Sequence, residues 1–165
     1  MTKNEFALKT RDVVLIGIAL AIVESVKLVL GFIPGVEIVS LLFIIYTLFF
    51  QKKMVYMLPA FCLLEGVMYG FGIWWFMYLY IWAILTLVVY LFRNKTSVWF
   101  WSTLSGIYGL LFGLLCCPAY FVTGGMGMAI SWWIAGIPTD IVHGISNFTI
   151  CLILLKPLSR VLKMA

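Results

Sequence analysis

The chain alternates long apolar runs with short polar or glycine-containing breaks, and six such runs can be distinguished. Each run is continuously apolar rather than alternating, which excludes a β-barrel and predicts helices that cross a bilayer, where a span needs about 20 mostly apolar residues. The predicted helices cover residues 13–32, 36–50, 54–69, 73–92, 98–122 and 128–155. We expect Pro118 to kink the fifth helix, the glycine-rich stretch 123–127 to form a loop, and Lys156-Pro157 to end the sixth helix.

The composition agrees with a membrane protein. Hydrophobic residues make up 65% of the 165 residues and charged residues 10%, whereas soluble domains are roughly 45–50% apolar and about 25% charged. At about 20 residues for each span the chain has room for six or seven helices and for no soluble catalytic domain. The sequence therefore predicts an all-α membrane protein with a single domain over residues 1–165.

The basic residues indicate the orientation in the membrane. If the N-terminus is cytoplasmic, Lys27 is the one basic residue of eleven that does not fall on the inner side. The inner residues would be Lys3, Lys9, Arg11, Lys52, Lys53, Arg93, Lys95, Lys156, Arg160 and Lys163. The positive-inside rule then predicts six spans with both termini in the cytoplasm. Because these residues are scattered in ones and twos, they predict no nucleic-acid surface.

Ionisable residues inside the spans are the strongest functional signal, since each is costly in a bilayer. Asp140, His143 and Asn147 share one face of the sixth helix. The other polar groups are Glu24 and Lys27 in the first helix, Glu37 at the start of the second and Glu65 in the third. All lie outside the cytoplasmic third of the membrane. Two structural alternatives stay open: Glu24 and Lys27 neutralise each other one turn apart, and the remaining groups form hydrogen bonds between helices.

Aromatic residues gather at the same depth, among them Trp74, Trp75 and Tyr78. They either form an interfacial belt or, with the convergent polar groups, line a pocket for a small ligand. Four carboxylates against one lysine favour a cationic or donor-rich ligand. The four cysteines lie in apolar stretches without the spacing of a zinc site, so we predict no metal.

Small residues recur along two helices. Gly17, Ala21 and Ser25 form a flat stripe on the first helix, and Gly109 and Gly113 continue a similar stripe on the fifth. Such a stripe allows another helix to approach closely. Each stripe either packs inside the bundle or docks a partner protein.

This pattern resembles the substrate-binding S component of energy-coupling factor (ECF) vitamin transporters. The resemblance rests on the six predicted helices, the stripe of Gly17, Ala21 and Ser25, the outer connection after the first helix, and the segment from Gly136 to Phe148 in the last helix. It covers nearly the whole chain.

The resemblance implies a subunit of a prokaryotic plasma-membrane ABC importer that binds a vitamin or related micronutrient in its outer half. A B6-type heteroaromatic compound is our first expectation and a thiamine-like compound our second. The partners implied are a membrane scaffold subunit, which Gly17, Ala21 and Ser25 would contact, and two cytoplasmic ATPases. The chain contains no P-loop, so ATP would be used by those partners and no cofactor is expected here.

Two other classes of function are compatible with a helical membrane protein of this size. A self-contained transporter or channel is disfavoured because secondary transporters usually show internal repeats and broken helices. An integral-membrane enzyme would use Asp140 and His143 as an acid–base pair. We expect a binding subunit with no catalytic residue.

Overall fold

Helices are the only regular elements over residues 7–164, the part of the chain that the computed structural model describes. This confirms the all-α class that was predicted. The helices are α1 (Thr10–Leu30), α2 (Val39–Phe50), α3 (Met54–Tyr69), α4 (Ile73–Leu91), α5 (Val98–Leu110) and α6 (Phe112–Met164). A 3₁₀ turn, Gln51–Lys53, joins α2 to α3.

Four helical stretches of the described chain are long and apolar enough to cross a membrane. They are Thr10–Leu30, Val39–Tyr69, Ile73–Leu91 and Val98–Leu162. The second combines α2 with α3 and has 31 residues, and the last combines α5 with most of α6 and has 65. A helix rises about 1.5 Å per residue, so both combined stretches are longer than the roughly 30 Å hydrocarbon core of a bilayer requires.

The starts of the helices follow the polar breaks in the sequence. α3, α4 and α5 begin at the predicted Met54, Ile73 and Val98. α2 begins at Val39 rather than at residue 36, because the Glu37 carboxylate accepts a hydrogen bond of 2.9 Å from the Ser40 amide at the new helix start. That contact satisfies one of the amides that every helix N-terminus leaves without a partner.

α2 lies at the centre of the bundle, since every residue from Val39 to Thr47 is buried. Phe43 of α2 packs between Phe61 of α3 and Trp82 of α4, with ring centroids 5.0 and 4.7 Å apart. The three rings belong to one buried cluster that joins these helices. Because α2 is surrounded, its apolar side chains face protein on all sides.

α5 and α6 together form a long antiparallel hairpin. The first arm is α5 with residues 112–124, and the second arm is residues 126–164. Gly125 separates the arms with a φ of 74°, a conformation that glycine adopts without strain. Gly109 faces His143 across the hairpin, Gly113 faces Asp140, and the rings of Tyr120 and Trp132 stack 4.1 Å apart.

The structure differs from the predicted fifth and sixth helices in three details. The first arm is interrupted at Leu111 (φ −94°, ψ 1°), where no break was predicted, and the backbone dihedrals at Pro118 are helical. The stretch 123–127 is helical except at Gly125, so the expected loop is a sharp turn. The last helix continues past Lys156-Pro157 to Met164. Pro157 therefore lies inside the helix and does not end it, although a proline there lacks one backbone N–H donor.

Candidate ligand-binding site

A cavity of about 600 Å³ opens between the end of α1, the segment 31–38 and the hairpin. This volume lies within the range of small-molecule sites, roughly 300–1,000 Å³. Its polar lining is Lys27, Glu37, Thr139, Asp140 and His143. Its aromatic walls are Tyr78, Trp82, Phe112 and Trp132. The site thus combines flat apolar surfaces with a few ionisable groups.

The segment 31–38 carries Glu37 into this cavity. It lies against the second arm, because the Ser146 hydroxyl donates a hydrogen bond of 2.8 Å to the Gly35 carbonyl. Gly35 has a φ of 74°, and a Cβ at this position would lie 3.0 Å from the Val142 side chain. Glycine suits this position for two reasons: it adopts a positive φ without strain, and it leaves room for the Val142 side chain.

Glu37 links the segment 31–38 to α2 and to the second arm. Its Oε1 atom lies 3.1 Å from Nε2 of His143, and its carboxylate also accepts hydrogen bonds from the amide and the hydroxyl of Ser40. Burial acts to raise the pKa of Glu37, but the contacts with His143 and Ser40 outweigh it and hold that pKa below its ordinary value. Asn147 donates to the Ser40 hydroxyl at 3.3 Å and extends the network.

Asp140 receives its hydrogen bonds from across the hairpin. The Gly113 amide donates to both carboxylate oxygens, at 3.1 and 3.2 Å. The amide is free to do so because the helix is interrupted at Leu111, two residues earlier. A Cβ on Gly113 would overlap the Asp140 carboxylate, so a glycine is needed for this contact.

Lys27 forms an ion pair with Glu65 of α3. Its ammonium group also lies over the rings of Tyr69 and Tyr78, 5.1 and 5.5 Å from their centroids. The direct contact of Lys27 is therefore with Glu65 on another helix, while Glu24, one turn away on α1, interacts with Lys27 electrostatically. The Glu24 carboxylate is buried, and neither of its oxygens has a hydrogen-bond partner among the described residues.

A second, more open cavity of about 470 Å³ adjoins the first and shares Lys27 and Tyr78 with it. Its lining also includes Glu65, Tyr69 and Trp74. Lys27 thus lies between the two cavities, and its partner Glu65 lines the second cavity but not the first.

The ten residues predicted to bind ligand are therefore divided among several places. Lys27, Glu37, Tyr78, Asp140 and His143 line the main cavity. Glu65 and Trp74 line the second. Glu24, Trp75 and Asn147 line neither. The indole N–H of Trp75 donates to the Cys62 carbonyl at 2.7 Å, which turns this ring towards α3.

Trp82, Phe112 and Trp132 form walls of the main cavity, although they were not among the residues predicted to bind ligand. Trp82 is buried, and its indole N–H has no partner among the described residues. The glycine-rich stretch 123–127 could have indicated Phe112, because it marks where the chain folds back. With the turn at Gly125, residues 112 and 113 lie opposite residues 139 and 140, so Phe112 lies beside the face that carries Asp140 and His143.

The two stripes of small residues have different surroundings. Gly109 and Gly113 pack against the second arm, so the stripe on the fifth predicted helix serves the bundle itself. Gly17, Ala21 and Ser25 are all exposed, and a Cβ on Gly17 would meet nothing within 4 Å. This face of α1 is open to lipid or to another helix.

Among the described residues, no group of three or more His, Cys, Asp or Glu side chains is arranged to hold a metal ion. Comparison of the chain with protein-family models, curated proteins and solved structures found no match.

Proposed function

We propose that this chain is the substrate-binding membrane subunit of an ECF-type importer for a vitamin or a related micronutrient. The observation that carries the proposal is the main cavity, in which Lys27, Glu37, Asp140 and His143 meet the rings of Tyr78, Trp82, Phe112 and Trp132. Such a combination suits a small planar solute with polar substituents. No catalytic step is needed for this role.

The proposed topology has six spans: α1, α2, α3, α4 and the two arms of the hairpin. Lys53 Nζ lies 2.6 Å from Asp12 Oδ2, so the start of α1 and the connection between α2 and α3 lie at the same end of the bundle. Lys9, Arg11, Lys52 and Lys53 belong to these two segments, which supports a cytoplasmic position for this end. With six spans, both termini would lie on that side. Lys3 lies outside the described residues, and the side chain of Lys163 is not described.

The exposed stripe on α1 supports the assembly with partners. We propose that a membrane scaffold subunit packs on Gly17, Ala21 and Ser25, where the absence of large side chains permits close helix contact. Two cytoplasmic ATPases would supply the energy, and the complex would reside in the plasma membrane of a prokaryote. The transported ligand would enter from the outer side, at the end of the bundle opposite to Lys53.

The test is a titration of the purified chain, without partners, with a panel of water-soluble vitamins while tryptophan fluorescence is followed. We expect saturable quenching by one compound, because Trp82 and Trp132 line the cavity. Trp82→Phe should remove much of that quenching. The matched control is Trp99→Phe, since Trp99 is 65% exposed on the hairpin surface and should leave the signal unchanged.

Three results would contradict the proposal. If no compound binds the folded chain, it is not a vitamin-binding subunit. If the chain alone carries solute into liposomes without ATPases, it is a self-contained transporter. If the bound compound is recovered chemically altered, the site is that of an enzyme.

A further inference from the structure

Two acidic and two basic side chains line the main cavity, and three of these four have a charged or titratable partner. Lys27 is engaged by Glu65, and Glu37 by His143. Asp140 differs, because its hydrogen bonds come from one neutral backbone amide, that of Gly113. No lysine, arginine or histidine of the described chain forms an ion pair with it, and His143, one helical turn away, acts on it only electrostatically. Glu65 cancels the charge of Lys27, and His143 cancels at most one of the two cavity carboxylates, so Glu37 and Asp140 together leave the cavity with a net negative charge, and Asp140 is the carboxylate without an ion pair.

From this balance we infer that the ligand is a planar aromatic compound with one positive charge, which Asp140 neutralises in the bound state. The inference rests on the proposed function and narrows its substrate class. A buried carboxylate without a counter-ion is costly in a membrane protein. A cationic ligand removes that cost, whereas a neutral ligand leaves it and an anionic ligand adds to it.

The walls of the cavity suit the same class. Tyr78, Trp82, Phe112 and Trp132 present aromatic rings, which attract cations through their electron-rich faces. The protein itself shows this contact next to the cavity, where the Lys27 ammonium lies 5.1–5.5 Å from the ring centroids of Phe61, Tyr69 and Tyr78. Lys27 does not repel a cation strongly, because its own charge is compensated by Glu65.

An anionic ligand would require a rearrangement that a cation does not. It would face the carboxylates of Asp140 and Glu37, and Lys27 would have to leave Glu65 to bind it. Glu65 is 1% exposed, so its carboxylate would then be left buried without a partner. The geometry of the ion pairs therefore disfavours acidic vitamins.

The experiment compares compounds that have the same shape and different charge. Thiamine has a permanently charged thiazolium ring, and 3-deazathiamine replaces the charged nitrogen by carbon. The panel also includes 1-methylnicotinamide, a pyridinium cation, with nicotinamide as a second matched pair, the uncharged riboflavin and the anionic biotin. We expect the tightest ligand of the wild-type chain to be cationic and to bind at least tenfold more tightly than its uncharged counterpart.

Asp140→Asn should lower the affinity for that cation at least tenfold and abolish the discrimination within its pair. Asp140→Glu should keep the discrimination, because the charge is retained. The control is Asp12→Asn, the same change at a carboxylate that pairs with Lys53 at the far end of the bundle, and it should leave the affinity unchanged. The comparison of charged with uncharged compounds uses the wild-type chain alone, so it tests the inferred ligand charge even if Asp140→Asn does not fold.

The outcomes separate the two claims. If the tightest ligand is neutral or anionic, or if folded Asp140→Asn binds the cation as tightly as wild type, the inference is wrong and the proposed function stands. If no compound binds at all, the proposed function is wrong and the inference falls with it.

Discussion

Nε2 of His143 lies 3.1 Å from Oε1 of Glu37 and so ties the second arm of the hairpin to the segment between α1 and α2. This contact and the hydrogen bond from Ser146 to Gly35 hold that segment against the hairpin. Because the segment forms one wall of the main cavity, its position determines the shape of the site. The contact between Glu37 and His143 therefore stabilises this wall, and both residues also line the cavity.

Glu37→Gln and His143→Ala should each destabilise the ligand-free chain by about 1 kcal/mol, within the range found for polar contacts between membrane helices. The double variant should be less destabilised than the sum of the two, since the contact is lost only once. Denaturant unfolding in detergent would measure this, and amide hydrogen exchange at residues 35–38 should be faster in both single variants. Strict additivity together with unchanged exchange would show that the contact does not hold the segment.

Removing Lys27 should destabilise the chain more than removing the charge of its partner Glu65. Lys27→Met removes the cation from beside both Glu24 and Glu65, which are 5% and 1% exposed, and breaking a buried pair in this way costs about 3 kcal/mol or more. Glu65→Gln should cost less, because Lys27 can turn to Glu24 one helical turn away.

The measurement is the free energy of unfolding of the two variants and of the double variant. Lys27→Met with Glu65→Gln should recover part of the loss of Lys27→Met, because one buried carboxylate is removed. An equal or greater loss in Glu65→Gln would mean that Glu24 cannot replace Glu65 as the partner.

Among the hairpin glycines, Gly109 has the closest contact with the backbone of the opposite arm. A Cβ added there would lie 2.9 Å from the His143 backbone and 3.0 Å from the Asn147 side chain. Backbone cannot move aside as a flexible side chain can, so Gly109→Ala should destabilise the chain by about 1–3 kcal/mol. It should also weaken ligand binding, because His143 is displaced.

Gly127→Ala is the matched control for Gly109→Ala, since it lies in the same hairpin and a Cβ there meets nothing within 4 Å. Thermal unfolding in detergent should show no loss of stability for Gly127→Ala. If both glycine variants unfold at the same temperature as wild type, the arms do not pack as closely at Gly109 as the structure has them.

The sequence predicted the helices well where polar residues or glycines interrupt apolar runs, as at the starts of α3, α4 and α5. It predicted less where the backbone is governed by contacts between elements. The break at Leu111 is an example, because no glycine or proline stands there and its effect is to free the Gly113 amide for Asp140. A sequence-based analysis looks for such a break at Pro118 instead.

For the site as well, the sequence predicted which residues matter but not how residues on different helices pair. Ionisable residues in apolar runs directed attention to Lys27, Glu37, Asp140 and His143, which the structure brings to one cavity. The choice of Glu65 over Glu24 as the partner of Lys27 depends on how α1 and α3 are rotated against each other. Spacing along one helix cannot supply that information, so the pairing required the structure.

The exposed stripe on α1 gives the prediction that bears most directly on transport. Ala21 is exposed at the middle of the stripe, between Gly17 and Ser25, and it is not part of either cavity lining. Ala21→Trp should therefore leave ligand affinity within about twofold, which is less than 0.5 kcal/mol. Uptake should fall to background, because a large side chain prevents the helix of the proposed scaffold subunit from packing closely.

The control is Leu87→Trp, which also places an indole on an exposed face, that of α4, and should keep both binding and uptake. Binding is measured by fluorescence with the purified chain, and uptake in cells that express it together with the proposed scaffold and ATPase subunits. Normal uptake by Ala21→Trp would exclude this stripe as the docking surface, whereas loss of binding would mean that the residue acts on the site and not on the assembly.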